Sequence, residues 1–102
     1  MDALSALAEP RRRRVVEILA HRGQLSASEI CDEFEVTPQA MSQHLRVLRE
    51  AKVVRMEKQA QRRLYSLDPR SMDDIRAWAA QMAGLWIGRL NRLATALEEN
   101  AT

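Results

Sequence analysis

With a single cysteine, Cys31, the chain can build no internal disulfide framework and is expected in a reducing compartment. Aromatic side chains are scarce, two tryptophans, one tyrosine and one phenylalanine, so the core must be aliphatic. Only three glycines occur, none grouped into a phosphate-cradling loop. His21, His44 and Cys31 fall on separate segments and make no acid–base pair, which argues against an enzyme. No apolar run is long enough to span a bilayer. The opening Met1-Asp2-Ala3-Leu4-Ser5 lacks the basic start and apolar stretch of a signal peptide. A soluble, cytoplasmic protein is expected. Repeats, low-complexity tracts and linkers are also absent, and 102 residues predict one domain, 1–102.

Net charge is only +2, and its placement says more than its total. Arg11–Arg14 form one basic cluster, and Arg55, Lys58, Arg62 and Arg63 form another. Acidic residues Asp73, Asp74, Glu98 and Glu99 lie toward the C-terminal end. Local basic patches of this kind favour a nucleic-acid partner. Arg11–Arg14 oppose the dipole at a helix start, so acidic or phosphate partners are expected, and a structural role is preferred for them.

The pattern of elements is mainly α with one small β-hairpin. Leu4, Leu7 and Ala8 predict a short helix that stops before Pro10. A second helix runs from about Pro10 to His21, with Val15, Ile18 and Leu19 inward and Gly23 ending it. Ser26-Ala27-Ser28-Glu29 has capping-box spacing and opens a third helix anchored by Ile30 and Phe34. Glu35-Val36-Thr37 turns into a fourth, which runs to about Ala51. Thr37 is a good N-cap, and Pro38 occupies the first helical position, where its missing N–H costs nothing. Lys52 follows the helix end directly and is predicted to take positive φ in place of a glycine.

That fourth helix has two opposed faces. Met41, Leu45 and Leu48 share an apolar stripe, while Gln39, Ser42, Gln43 and Arg46 line the other side. Amide, hydroxyl and guanidinium groups can pair with base edges and phosphates in a major groove. A solvated surface is the bland alternative, but the position after a tight turn and before a basic hairpin favours DNA contact. Thr37 doubles as cap and phosphate neighbour. His44 lies between the faces, where a structural or phosphate-contacting role suits it better than metal binding.

Val53–Lys58 and Arg62–Leu67 read as a hairpin around Gln59-Ala60-Gln61. The tip lacks the Asn-Gly or Asp-Gly of a tight turn, so a looser, mobile tip is expected. Arg62 and Arg63 there either keep a strand edge soluble or reach a neighbouring minor groove. Asp68-Pro69 opens a last helix, 69–100, striped by Met72, Ile75, Ala79, Met82, Trp86, Leu90, Leu93 and Leu97, with Trp78 and Leu85 on its flank. A helix of about 30 residues is roughly 45 Å long, more than one small core can cover. A second copy of the chain is the expected cover.

This order is that of a winged helix-turn-helix domain, with helix-turn-helix at 25–51, wing at 53–67 and a terminal dimerisation helix at 69–100. Over nearly its whole length the sequence resembles the arsenic-repressor (ArsR/SmtB-type) family of bacterial transcription regulators. The resemblance lies in Leu7-Ala8-Glu9-Pro10-Arg11-Arg12-Arg13-Arg14-Val15-Val16-Glu17-Ile18-Leu19, in Thr37 to Ala51 and in Arg62-Arg63-Leu64-Tyr65-Ser66-Leu67. It implies a homodimeric repressor on a near-palindromic operator. DNA contacts would come from Thr37, Gln39, Ala40, Ser42, Gln43, His44, Arg46, Arg62 and Arg63. The dimer interface would use Leu4, Leu7, Met82, Trp86, Leu90, Leu93 and Leu97.

Metal-sensing members carry a cysteine pair where this chain has Ser26 and Ser28, and Cys31 is out of register. Others place histidines along the last helix, whereas residues 68–102 hold neither histidine nor cysteine. No metal site and no cofactor are therefore expected. Cys31 reads as an inert small hydrophobe, with thiol or ligand sensing, the latter in a pocket between paired last helices, kept as an alternative. A winged-helix protein-interaction module is the other alternative.

Overall fold

The computed structural model describes residues 2–101, so Met1 and Thr102, the ends of the expected domain, lie outside the described residues. Eight elements follow one another: α1 (Ala3–Ala6), α2 (Pro10–Arg22), β1 (Leu25–Ser26), α3 (Ala27–Cys31), α4 (Pro38–Glu50), β2 (Val54–Gln59), β3 (Arg62–Leu67) and α5 (Pro69–Ala101).

Local chemistry sets most of the helix ends. The Asp2 carboxylate accepts from the Ser5 backbone N–H at 2.7 Å, and the Glu9 carboxylate accepts from that of Arg12 at 2.9 Å. The Ser26 box is complete. Its hydroxyl accepts from the Glu29 N–H at 3.1 Å, and the Glu29 carboxylate accepts from the Ser26 N–H at 3.0 Å. Thr37 accepts from the Ala40 N–H at 3.1 Å, with Pro38 behind it in the first turn. Gly23 closes α2 with φ +85°.

Lys52 ends α4 with φ +61°. The Lys52 N–H donates to the Arg49 carbonyl at 3.0 Å, and the Val53 N–H reaches back to the Leu48 carbonyl at 2.9 Å. These are the two bonds of a Schellman cap, and Leu48 and Val53, both fully buried, make its apolar contact. The predicted left-handed lysine is present.

Three expectations change. The tip of the hairpin is tight: Gln59 pairs with Arg62, leaving only Ala60 and Gln61 to turn, and Ala60 adopts φ +56°. Positive φ at the first central residue alone is the pattern of a type II′ turn, with alanine where glycine is usual. A third strand also exists. β1 is two residues long and pairs antiparallel with β3 (Leu25 with Tyr65, Ser26 with Leu64), giving the order β1-β3-β2. Finally, α3 is a single short helix ending at Cys31, so Phe34 packs from the following turn, not from the helix.

The core sits where α2, α4 and the sheet meet. Val15, Ile18 and Leu19 from α2, Ile30 from α3, and Met41, Leu45 and Leu48 from α4 close over Val53, Val54 and Tyr65. Each large aliphatic side chain buried this way contributes about 1.5–3 kcal/mol.

The base of α5 is fastened to this body. The Asp68 N–H donates to the Val53 carbonyl at 2.9 Å, and the Ser71 hydroxyl donates to the Ala51 carbonyl at 3.3 Å. Met72 packs on the core. Beyond Ile75 the helix leaves the body, and from 76 to 100 every residue except Gly88 is exposed. The molecule measures 70 × 27 × 24 Å in consequence. Among the described residues no helix is long and apolar enough to cross a membrane.

Candidate nucleic-acid interface

The turn 32–37 presents α4 across α3, with Met41, Leu45 and Leu48 buried and the opposite side open. Gln39, Ser42 and Gln43 are exposed on that side, and none of these side chains has a hydrogen-bond partner among the described residues. Ala40 is half-buried at its edge, and exposed Thr37 gives its hydroxyl to the cap. Arg46 is exposed but holds Glu50 at 3.0 Å one turn along. The row therefore offers unengaged amides and a hydroxyl, flanked by cations.

His44 is turned away from this face. Its side chain is only 17% exposed, with Nδ1 3.9 Å from the Glu9 carboxylate. Glu9 also caps α2, so the contact ties α4 to the start of α2. Burial pushes the Glu9 carboxyl up, but the backbone N–H of Arg12 and the nearby charges of His44 and Arg12 hold it below its ordinary range.

The two hairpin arginines part company. Arg62 reaches back across the sheet to Glu29, Nη2 to Oε1, at 2.9 Å. The Glu29 carboxyl is lowered by the backbone and hydroxyl donors of Ser26, with Arg62 adding to the effect. Arg63 points the other way in the β alternation, is exposed, and has no ion-pair or hydrogen-bond partner among the described residues. It shares a shallow groove between α4 and β3 with Ser42, Gln43, Arg46, Arg49 and Tyr65. Arg49 and Tyr65 went unnoticed in the sequence as site residues. The signal for Arg49 was its position three residues past Arg46 and seven past Ser42, on one helical face. Tyr65 gave none, because its place depends on strand pairing.

Arg11–Arg14 are largely occupied within the chain. Arg11 lies 3.9 Å from Glu9, Arg14 lies 3.3 Å from Glu17, and Arg12 donates from Nε to the Ala6 carbonyl at 2.7 Å. These contacts account for three of the four, and Arg13 is exposed. Cys31 is half-buried, its sulfur 4.0 Å from the Val36 carbonyl. Ser26 uses its hydroxyl in the α3 cap, and no group of three or more metal-binding side chains occurs among the described residues.

The expected interface residues divide by position. Leu7 is half-buried against the chain's own core, and Leu4 is exposed beside Asp74 and Ile75. Met82, Trp86, Leu90, Leu93 and Leu97 all lie in the open on α5, Trp86 at 61% and Leu97 at 62% exposure.

The helices α2, α3 and α4, the last with one open polar face, and a β-hairpin beside them define a winged helix-turn-helix domain. Residues 7–57 match a helix-turn-helix domain family. The chain is 38% identical over 87 residues to the HTH-type transcriptional regulator Rv2034 of Mycobacterium tuberculosis, covering 80% of each chain. It is 27% identical to the transcriptional repressor SdpR of Bacillus subtilis over 76% of this chain and 84% of that one. A solved ArsR family transcriptional regulator superposes with a TM-score of 0.72 at 29% identity, covering 81% of this chain and 84% of the other. The chain belongs to the ArsR family of helix-turn-helix transcriptional regulators. It is a DNA-binding transcription regulator.

Proposed function

We propose that the protein is a cytoplasmic homodimeric repressor that binds a near-palindromic operator sequence-specifically and does not respond to transition metals. The observation that carries this reading is the open face of α4, where the side chains of Gln39, Ser42 and Gln43 have no hydrogen-bond partner among the described residues. Groups left free in this way can pair with base edges without first breaking an internal bond. The apolar length of α5 supports the dimer, since two copies joined there would cover the exposed leucines and Trp86. A two-fold pair would set its recognition helices in successive major grooves, about 34 Å apart, and occlude a promoter. The serines at 26 and 28 and the oxygen-only carboxylates of α5 support metal independence, as zinc binds poorly without nitrogen or sulfur ligands.

Selection of bound duplexes from a random DNA pool tests the reading. A consensus of two inverted half-sites one helical turn apart is expected. Enrichment of a single asymmetric site, or of none, overturns it. Zinc, cadmium and trivalent arsenic added to the selected duplex should leave its affinity unchanged; release of DNA by a stoichiometric metal overturns that part.

A further inference from the structure

The groove between α4 and β3 has an uneven balance of charge. Arg46, Arg49 and Arg63 line it, and no carboxylate does. Arg46 is held by Glu50, whereas Arg49 and Arg63 have no ion-pair or hydrogen-bond partner among the described residues. Lys58 stands directly opposite Arg63 in the β2–β3 ladder, an arrangement of like charges that destabilises a sheet unless an anion is near. The floor of the groove adds a neutral donor. Tyr65 is only 6% exposed, its ring in the core, yet its hydroxyl has no hydrogen-bond partner among the described residues. No buried side-chain oxygen there is left unpaired, so this hydroxyl opens to solvent, and the residue meets the surface at the groove.

We infer that this groove seats one phosphate of the DNA backbone, clamped by Arg49 from the helix and Arg63 from the wing, with the Tyr65 hydroxyl as a third donor. The inference rests on the DNA-binding reading above and adds the place where the duplex is gripped. With α4 in a major groove and the hairpin over the adjoining minor groove, the strand that separates the two grooves must pass between them. The residues at that crossing come from both elements, and guanidinium groups match phosphate oxygens in geometry as well as charge. Arg49 and Tyr65 are then anchoring residues, and base reading stays with the row Gln39, Ser42 and Gln43.

The test uses the full chain, the duplex recovered by selection and a scrambled duplex of equal length. Arg49→Gln should weaken both by about tenfold or more at low salt and lower the slope of log affinity against log salt by about one. Tyr65→Phe should weaken both by about threefold to tenfold with the slope unchanged, because it removes a bond and no charge. Replacing single phosphates with uncharged methylphosphonates should reveal one position per half-site whose loss costs the wild type clearly more affinity than it costs Arg49→Gln, in which Arg63 and Tyr65 still hold the phosphate. Arg49 is exposed and Tyr65 is in the core, so this scan keeps the question answerable if Tyr65→Phe misfolds. An unaltered salt slope, a changed base preference in Arg49→Gln, or the absence of any phosphate whose loss costs Arg49→Gln less than the wild type overturns the clamp while leaving the regulator reading intact. Absence of salt-dependent DNA binding by the wild type overturns both.

Discussion

Glu29 and Arg62 join the front of the helix-turn-helix to the wing, with 2.9 Å between carboxylate and guanidinium across 33 positions of sequence. The same Oε1 accepts the Ser26 N–H, so one oxygen caps α3 and holds the hairpin. Exposed pairs of this kind add little to global stability, and their effect is on the placement of the wing. Glu29→Ala should speed amide exchange in β2 and β3 and weaken DNA binding, although Glu29 is not on the open face of α4. Arg62→Ala should loosen the same amides and leave the salt slope of binding near its wild-type value. A slope lower by about one in Arg62→Ala would place Arg62 on a phosphate instead.

Acid should act on the caps first. Glu29, Glu9 and Asp68 all have carboxyls held below their ordinary range, Asp68 by the side chain and then the backbone N–H of Arg70. A group lowered on folding favours the folded state above its unfolded pKa, and that contribution is lost as pH falls through the folded value. Stability should therefore be level above about pH 5 and decline below about pH 4. Thermal melts across this range check it, and a Tm that rises on acidification would show the sign to be wrong.

The left-handed residue that ends α4 makes a sharper case. A β-carbon at φ +61° is strained, and glycine is not. Lys52→Gly should be neutral or stabilising by up to about 1 kcal/mol, the gain being offset by the freer unfolded chain. Urea titration measures it; a loss above about 1 kcal/mol would mean that the lysine side chain makes a contribution of its own.

On α5, Leu90→Asp or Leu93→Asp would put a charge in the middle of the exposed stripe. Sedimentation should show monomers where the wild type gives dimers, and operator binding should be abolished. A wild type that sediments as a folded monomer at micromolar concentration would exclude the homodimer.

Reading and anchoring separate on two further residues. Gln43→Ala should cost about 1–3 kcal/mol on the selected operator and relax preference at one base pair per half-site, because glutamine can bond adenine N6 and N7 together. Arg63→Ala should weaken operator and scrambled DNA alike and flatten the salt dependence. The reverse pattern would exchange the two roles.

What the sequence revealed was whatever neighbours decide. Ser26 with Glu29, Thr37 with Pro38, and Lys52 between a helix and a strand all act within four residues of chain, and each does in the fold what its chemistry implies. The alternation of faces on α4 was equally plain. β1 was hidden because two residues have no period, and Leu25 and Ser26 become a strand only by pairing with Tyr65 and Leu64. The tight wing tip was hidden because alanine carries no sign that it will accept positive φ. Arg62 and Arg63 are adjacent and chemically identical, and only the alternation of β3 beside a distant Glu29 sends one to a carboxylate and leaves the other with no partner among the described residues. The groove shared by Arg49 and Tyr65 has no local signature, since its two walls lie sixteen positions apart.

The bare far end of α5 gives abundance a physical meaning. On the dimeric reading, its outer turns are covered only when two molecules meet, so coverage follows encounter frequency and not sequence alone. At low copy number the paired form grows as the square of the chain concentration, and operator occupancy inherits that steepness. A modest fall in supply would then empty the operator more abruptly than it would for a protein that binds alone, and the helix would serve as a counter of its own kind.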